Sequence, residues 1–257
     1  MTRNKIYPKK SLGQHYLTNE KICGEIVDSF KLNREDHVIE IGPGQGAITG
    51  FIMEKTKNLS VIEIDKNNCE ILKTKFPDLD IINEDILNYS FDSGSKITGK
   101  KLRIIGNIPY NITTEIIFRL IDYRKCILDA QLMIQEEVAL RLAGKPNSKE
   151  YGIPSVFIQV FSEPELRFKV SSSSFYPKPK VDSRIIYFDF TKNTEINIKD
   201  IEFFKKFVKT AFGQRRKTMR NSLKKLDLDL GKAEFDFSRR AETVSVNEFI
   251  ELSNRFC

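Results

Sequence analysis

The sequence predicts an α/β domain on a mostly parallel sheet, residues 1–191, followed by a small all-helical domain, residues 192–257. Three observations carry this. Between residues 38 and 190, short apolar runs of strand length alternate with amphipathic runs of helical length, the pattern of right-handed βαβ units. A glycine-rich turn joins the first of those strands to its helix. Beyond Thr191 the apolar residues recur at helical spacing only.

In chain order, Val38–Ile41 is a short apolar strand that stops at Gly42-Pro43-Gly44-Gln45-Gly46, and a helix follows over about 47–57. Residues 59–64 form a second strand and 66–75 its helix. Residues 79–82 and 102–105 form the third and fourth strands, residues 113–121 a helix, and residues 127–134 the fifth strand. Residues 156–161 and 181–190 are separated by no convincing long helix, so they are expected to pair as an antiparallel hairpin at one edge of the sheet. Ser245-Val246-Asn247-Glu248 has the spacing of a capping box, which opens the last helix.

Composition narrows the function classes. The 257 residues are 40% hydrophobic and 30% charged, ordinary globular usage that excludes a disordered tail or a fibre. No apolar run approaches the roughly 20 residues that cross a bilayer, and Met1–Lys5 leads into no apolar segment of a secretory signal. The chain is expected to be soluble and cytoplasmic. No heptad run drives self-association, so a monomer is expected. Cys23, Cys69, Cys126 and Cys257 are scattered and the only histidines are His15 and His37, so neither a disulfide framework nor a metal site is expected.

The formal charge of +7 is unevenly placed. Residues 205–225 hold nine cations and no acid, among them Lys205, Lys206, Lys209, Arg215, Arg216, Lys217 and Arg220, interleaved with Phe204, Phe207, Phe212, Met219 and Leu223. A solvated helix face mixes signs, and this one does not. Lys5, Lys9 and Lys10 form a second basic cluster. Two such patches favour a polyanion, of which nucleic acid is the commonest, with an anionic membrane surface the alternative from charge alone.

Chemistry concentrates where the strands end. Gly42, Gly44 and Ala47 satisfy G-x-G-x-x-A, a turn that lets a ligand approach backbone at a helix N-terminus. Glu63 ends the second strand, where a carboxylate can accept hydrogen bonds from both ribose hydroxyls. Asp85 lies just past the third, in reach of an adenine amino group. To this point a nicotinamide dehydrogenase and an S-adenosylmethionine methyltransferase fit equally. Asn107-Ile108-Pro109-Tyr110, directly after the fourth strand, separates them. The lone pair of an adenine N6 is delocalised into the ring, and acceptors for the amino protons localise it toward a methyl donor. The Asn107 side-chain oxygen and the carbonyl of Ile108 or Pro109 can be those acceptors; Pro109 stiffens the turn and Tyr110 can stack on the base.

With these motifs the chain resembles the ribosomal RNA adenine N6,N6-dimethyltransferases of the KsgA type over nearly its whole length. Ser11–Leu17 is similar to the family's N-terminal segment, with His15 where Asn is frequent. Phe175-Tyr176-Pro177-Lys178-Pro179-Lys180-Val181-Asp182-Ser183 resembles a segment whose aromatic closes over the target adenine, a role that falls on Phe175. The resemblance implies a Rossmann-like class I S-adenosylmethionine-dependent methyltransferase sheet. It also implies that His15, Leu17, Gly42, Gly44, Glu63, Asp85 and Asn107 bind the methyl donor, and that Asn107, Pro109, Tyr110 and Phe175 serve catalysis. The erythromycin-resistance enzymes, which modify 23S RNA, share this core. Residues 211–218, with Arg215, Arg216, Lys217 and nearby Arg220, and residues 240–243 resemble the small-subunit enzymes instead. The implied substrate is a pair of adjacent adenosines in a hairpin loop near the 3′ end of 16S RNA, within an immature small subunit. A subunit-assembly factor with secondary catalysis is the other reading.

Overall fold

A computed structural model describes residues 8–9, 12–92, 99–191, 197–214 and 216–257. The chain divides into two compact units, one of Met1–Ala139 and Glu165–Phe190, the other of Leu140–Pro164 and Thr191–Cys257.

The first unit holds a seven-stranded sheet. Its strands are β2 (His37–Ile41), β3 (Leu59–Ile62), β4 (Asp80–Ile82), β5 (Leu102–Asn107), β6 (Ile127–Gln135), β7 (Glu163–Val170) and β9 (Ser183–Asp189), in the order β4-β3-β2-β5-β6-β9-β7. The pairs β3–β4, β2–β3, β2–β5 and β5–β6 are parallel, and β6–β9 is antiparallel. A separate pair, β1 (Tyr16–Leu17) with β8 (Phe175–Tyr176), is antiparallel, with Leu17 opposite Phe175 and Tyr16 opposite Tyr176. Chain direction across the sheet reverses beside β2: β3 and β4 lie to one side and β5 to the other. Such a reversal opens a crevice at the carboxyl ends of the strands, where open α/β sheets bind ligands.

Apart from the edge strand β4, the parallel strands are mostly buried, as parallel sheets require. Helix α1 (Glu20–Ser29) lays Cys23, Ile26 and Val27 into an apolar cluster with Val38, Ile52 and Ile105, where Ile52 belongs to α2 (Thr49–Lys55). Asn19 accepts from the Ile22 N–H to cap α1, and Asp65 accepts from the Asn67 N–H to cap α3 (Lys66–Lys75). Helix α4 (Thr113–Asp122) follows β5 and buries Ile116, Ile117 and Leu120. Helix α2 begins at Thr49, later than the spacing predicts, because residues 44–48 form turns.

Two expectations are corrected. Residues 156–161 are not a strand: they belong to α6 (Ile153–Phe161), whose Pro154 occupies the first turn, where a missing N–H costs nothing. The edge strand beside β9 is β7 instead. The division between units also differs from a single boundary at 191/192. Residues 140–164, with the last three residues of α5 (Glu136–Leu142) and all of α6, cluster with the helical unit, because Val156, Phe157 and Val160 share an apolar core with Phe204, Phe207 and Phe249.

In that second unit, Phe204, Phe207 and Val208 are buried on α7 (Ile201–Phe212), Met219 and Leu223 on α8 (Met219–Leu223), and Phe249 and Leu252 on α9 (Val246–Phe256). The capping box at α9 is present in both directions: Ser245 N–H donates to Glu248 Oε2 at 2.7 Å and Glu248 N–H to Ser245 Oγ at 3.3 Å. Arg239 donates to the same carboxylate and lowers its pKa to about 2. No helix among the described residues is long and apolar enough to cross a membrane.

Candidate active site

A cavity of about 240 Å³ opens at the strand tips of the first unit. His15, Leu17, Gly42, Gly44, Glu63, Asp85, Asn107, Pro109 and Tyr110 all line it, so nine residues predicted from sequence meet in one place.

The glycine turn makes room. Gly42 and Gly44 have φ of 65° and 57°, in the left-handed region, and a Cβ on Gly44 would lie 2.9 Å from the Tyr16 ring. Glu63, at the end of β3, is buried and anchored: Oε2 accepts from the Gly44 N–H at 3.0 Å and from Asn68 at 3.3 Å, and Oε1 accepts from the Asp65 N–H at 2.8 Å. Burial raises its pKa and these bonds oppose the rise. A carboxylate has about four acceptor sites, so it keeps capacity for a donor in the cavity. Glu40 on β2 also lines the cavity. Burial pushes its pKa up to about 8, although Thr49 donates to it at 2.7 Å. Asp85 accepts from the Leu87 N–H through Oδ1 at 2.9 Å.

Asn107 ends β5, and its Nδ2 donates to the His15 carbonyl at 3.0 Å. A carbonyl can only accept, so this bond fixes the amide and leaves Oδ1 as an oriented acceptor. The two carbonyls that sequence left open now differ. Pro109 O already accepts from Thr113 Oγ1 at 3.1 Å and from the Ile112 N–H at 3.4 Å. The Ile108 carbonyl carries no such bond among the described residues. Tyr110 pairs its hydroxyl with Ser183 at 2.6 Å, and its ring stacks on His15 with centroids 5.6 Å apart. Burial raises the pKa of that phenol. His15 Nδ1 lies 2.7 Å from the Pro177 carbonyl, so Nδ1 carries the proton.

Phe175 is not part of the lining. It faces Leu17 across the β1–β8 pair and is buried in the apolar cluster, whereas its neighbour Tyr176 is exposed. Successive strand residues point to opposite faces, so the pairing that seats Leu17 inward also seats Phe175. In this conformation Tyr110, not Phe175, is the aromatic wall. Of the N-terminal lysines, Lys5 and Lys10 lie outside the described residues and Lys9 is bound to Asp65 at 2.8 Å, which holds the N-terminal segment to the start of α3. Arg216, Lys217 and Arg220 are exposed in the second unit, and Arg215 lies outside the described residues.

Sequence reading missed Tyr16, Asn68 and Gly106. A Cβ on Gly106 would lie 2.5 Å from the Ile41 carbonyl, so this glycine lets β5 close on β2 where the crevice begins. A glycine inside an apolar strand was the available signal. Tyr16 had none, because it acts through Gly44, distant in sequence; Asn68 acts through Glu63 nearby, but as one polar residue in a helix it had no pattern to mark it.

A family model described as "Ribosomal RNA adenine dimethylase" matches residues 6–256. The chain is 43% identical over 248 residues to ribosomal RNA small subunit methyltransferase A of Chlorobium phaeobacteroides, covering 96% of this chain and 93% of that one. It is 42% identical over 254 residues to the protein of the same name in Flavobacterium johnsoniae, covering 98% and 96%. Among solved structures, a dimethyladenosine transferase from Plasmodium falciparum superposes with a TM-score of 0.77 at 24% identity, over 92% of this chain and 95% of that one. The 23S rRNA methyltransferase ErmE superposes with a TM-score of 0.73 at 22% identity, over 94% and 99%. At these identities the two superpositions establish the fold, which enzymes of both kinds share.

Proposed function

The chain belongs to the ribosomal RNA adenine dimethylase family, and we propose that it transfers methyl groups from S-adenosylmethionine to N6 of two adjacent adenosines in the hairpin loop near the 3′ end of 16S RNA, in the immature small subunit. The curated relatives at about 40% identity carry a small-subunit name, which favours this substrate over 23S RNA. The observation that carries the chemistry is the Asn107 amide, pinned by its donation to the His15 carbonyl in the same cavity as Glu63 and the glycine turn.

The residues present fit the donor: a buried carboxylate with a remaining acceptor site for a ribose hydroxyl, a second carboxylate for an adenine amino group, and a glycine turn without side chains. His15, Leu17, Gly42, Gly44, Glu63, Asp85 and Asn107 would hold it. When bound, S-adenosylmethionine supplies an electrophilic methyl on a sulfonium. Asn107 Oδ1 and the Ile108 carbonyl accept the two N6 protons of the target, which turns the nitrogen lone pair outward. Pro109 fixes the angle between these acceptors, and Tyr110 stacks on the base while Ser183 holds its hydroxyl. No general base is needed, because the amine becomes acidic on methylation and water takes the proton. The basic residues Arg215, Arg216, Lys217 and Arg220 of the helical unit would bind RNA phosphates, giving affinity without base specificity. On this reading the enzyme works in the cytoplasm as a monomer.

Radiolabelled S-adenosylmethionine, supplied with small subunits lacking these methyl groups, protein-free 16S RNA and 23S RNA, tests the proposal. Label in dimethyladenosine from small subunits is expected. Label in 23S RNA alone would make the enzyme one of the resistance kind, and absence of label from all three would refute the activity.

A further inference from the structure

The helical unit contains a second cavity, an open groove of about 490 Å³ between α7 and α8. Lys205, Lys206, Lys209 and Lys225 line it together with Glu202, Thr210 and Gln214, with Ser222 in its wall. Lys205 is engaged by Glu202 at 2.8 Å. Lys206, Lys209 and Lys225 have no ion-pair partner among the described residues, and Lys206 and Lys209 stand three apart on one helix, where like charges repel. Folding alone gives no reason to gather these cations.

Ser222 makes the stronger point. Its residue is 4% exposed, and its hydroxyl is buried with no hydrogen-bond partner. A buried hydroxyl left unpaired forfeits the hydrogen bonds it made to water, so such groups are normally satisfied. Ser222 lies in the wall of a groove that gathers four ammonium groups against one carboxylate, Glu202, which Lys205 already engages. A ligand that satisfies Ser222 and the three remaining lysines must be an acceptor carrying negative charge, and a phosphate oxyanion meets both conditions.

We infer that this groove is a phosphate site, in which Ser222 Oγ–H donates to a phosphodiester oxygen of the RNA backbone and Lys206, Lys209 and Lys225 surround its charge. The inference rests on the proposal that the substrate is RNA, and adds an anchor separate from Arg215, Arg216, Lys217 and Arg220. The hydroxyl supplies position and the lysines supply charge, so the two contributions separate experimentally. Removing lysines lowers the number of counterions released on binding, whereas removing a neutral hydroxyl does not.

The test measures binding of the full chain to a fluorescent RNA hairpin with two adjacent adenosines in its loop, over a series of KCl concentrations. Ser222→Ala is expected to weaken binding about fivefold or more with an unchanged salt slope and an unchanged or higher Tm, since a purely structural role for an unpaired hydroxyl affects stability and not RNA. The Lys206→Gln/Lys209→Gln/Lys225→Gln variant is expected to reduce the slope of log K against log salt by about one or more. If both variants bind the hairpin like the parent, the inference is overturned. So is it if inorganic phosphate at constant ionic strength raises the parent's Tm, but not that of Ser222→Ala, while RNA affinity is the same in both; the groove would then hold free phosphate. A parent that binds no RNA and labels none would instead defeat the proposed function.

Discussion

The cavity at the strand tips of the first unit is lined by acids and carbonyl acceptors held at fixed angles, whereas the groove of the helical unit is lined by lysines on flexible stems. Glu63 is held by two backbone N–H groups and an Asn, and Asn107 by a carbonyl. Lys206, Lys209 and Lys225 are exposed and have no such supports among the described residues. The difference follows from the two tasks. Choosing one atom of one base requires acceptors that do not move during the reaction, and backbone-anchored groups provide them. Holding a polyanion requires charge, and compact hydrated ammonium groups provide it at little geometric cost. The same physics explains why a change in one region should be read out in a different quantity from a change in the other.

The largest effect expected in the acceptor cavity, short of the catalytic amide itself, is from Glu63→Gln. It replaces an acceptor-only carboxylate with an amide whose single acceptor oxygen cannot take a ribose hydroxyl and still receive both the Gly44 and Asp65 N–H groups. Affinity for S-adenosylmethionine should fall on the order of 10- to 100-fold, with the salt slope of RNA binding unchanged; calorimetric titration of the donor checks this, and a fall below threefold would remove Glu63 from donor recognition. The counterpart in the basic region is Arg216→Gln with Lys217→Gln. Donor affinity should stay as it is, and the salt slope of RNA binding should drop by about one for each phosphate no longer neutralised. An unchanged slope would return that run to a merely solvated face.

The smallest effect is a pH dependence. The folded chain holds Glu40 with a pKa of about 8, against an ordinary value of 4.5. Between those values the unfolded chain releases a proton that the folded chain keeps, so stability falls as pH rises through the window. Glu40→Gln removes this term and keeps an acceptor for Thr49. Thermal melts at pH 5 and pH 8 should therefore show the variant gaining on the parent at the higher pH, and an equal gap at both would mean Glu40 ionises normally in the fold.

Much of the acceptor cavity was legible in the sequence because its geometry is set by backbone. A glycine turn, an acid at a strand end and Asn-Ile-Pro-Tyr each act where the chain itself puts them, so spacing along a βαβ pattern was enough to bring seven of the nine residues together, and the resemblance supplied His15 and Leu17. Phe175 lies outside the lining because its position depends on the register of a two-residue strand with Leu17, which no local pattern encodes. The error at 156–161 has a different origin. Val156-Phe157-Ile158 and Val160-Phe161 are β-branched and aromatic, and a fully apolar run has no period to distinguish helix from strand. Pro154 and Ser155 at the start of α6 were the informative residues. Leu166, Phe168 and Val170 alternate as an edge strand should, and Pro164 at its start is compatible with an edge. The groove of the helical unit was legible only as charge; that Ser222 is buried without a partner is a tertiary fact.

The central claim is that an amide oriented by the His15 carbonyl accepts the protons of the target amine. Single-turnover methyl transfer by Asn107→Ala, at saturating S-adenosylmethionine and small subunits, tests it most directly. The rate should fall roughly 10²-fold or more while donor affinity stays within about tenfold of the parent, because the acceptor acts mainly in the transition state. A rate within threefold of the parent would contradict the claim.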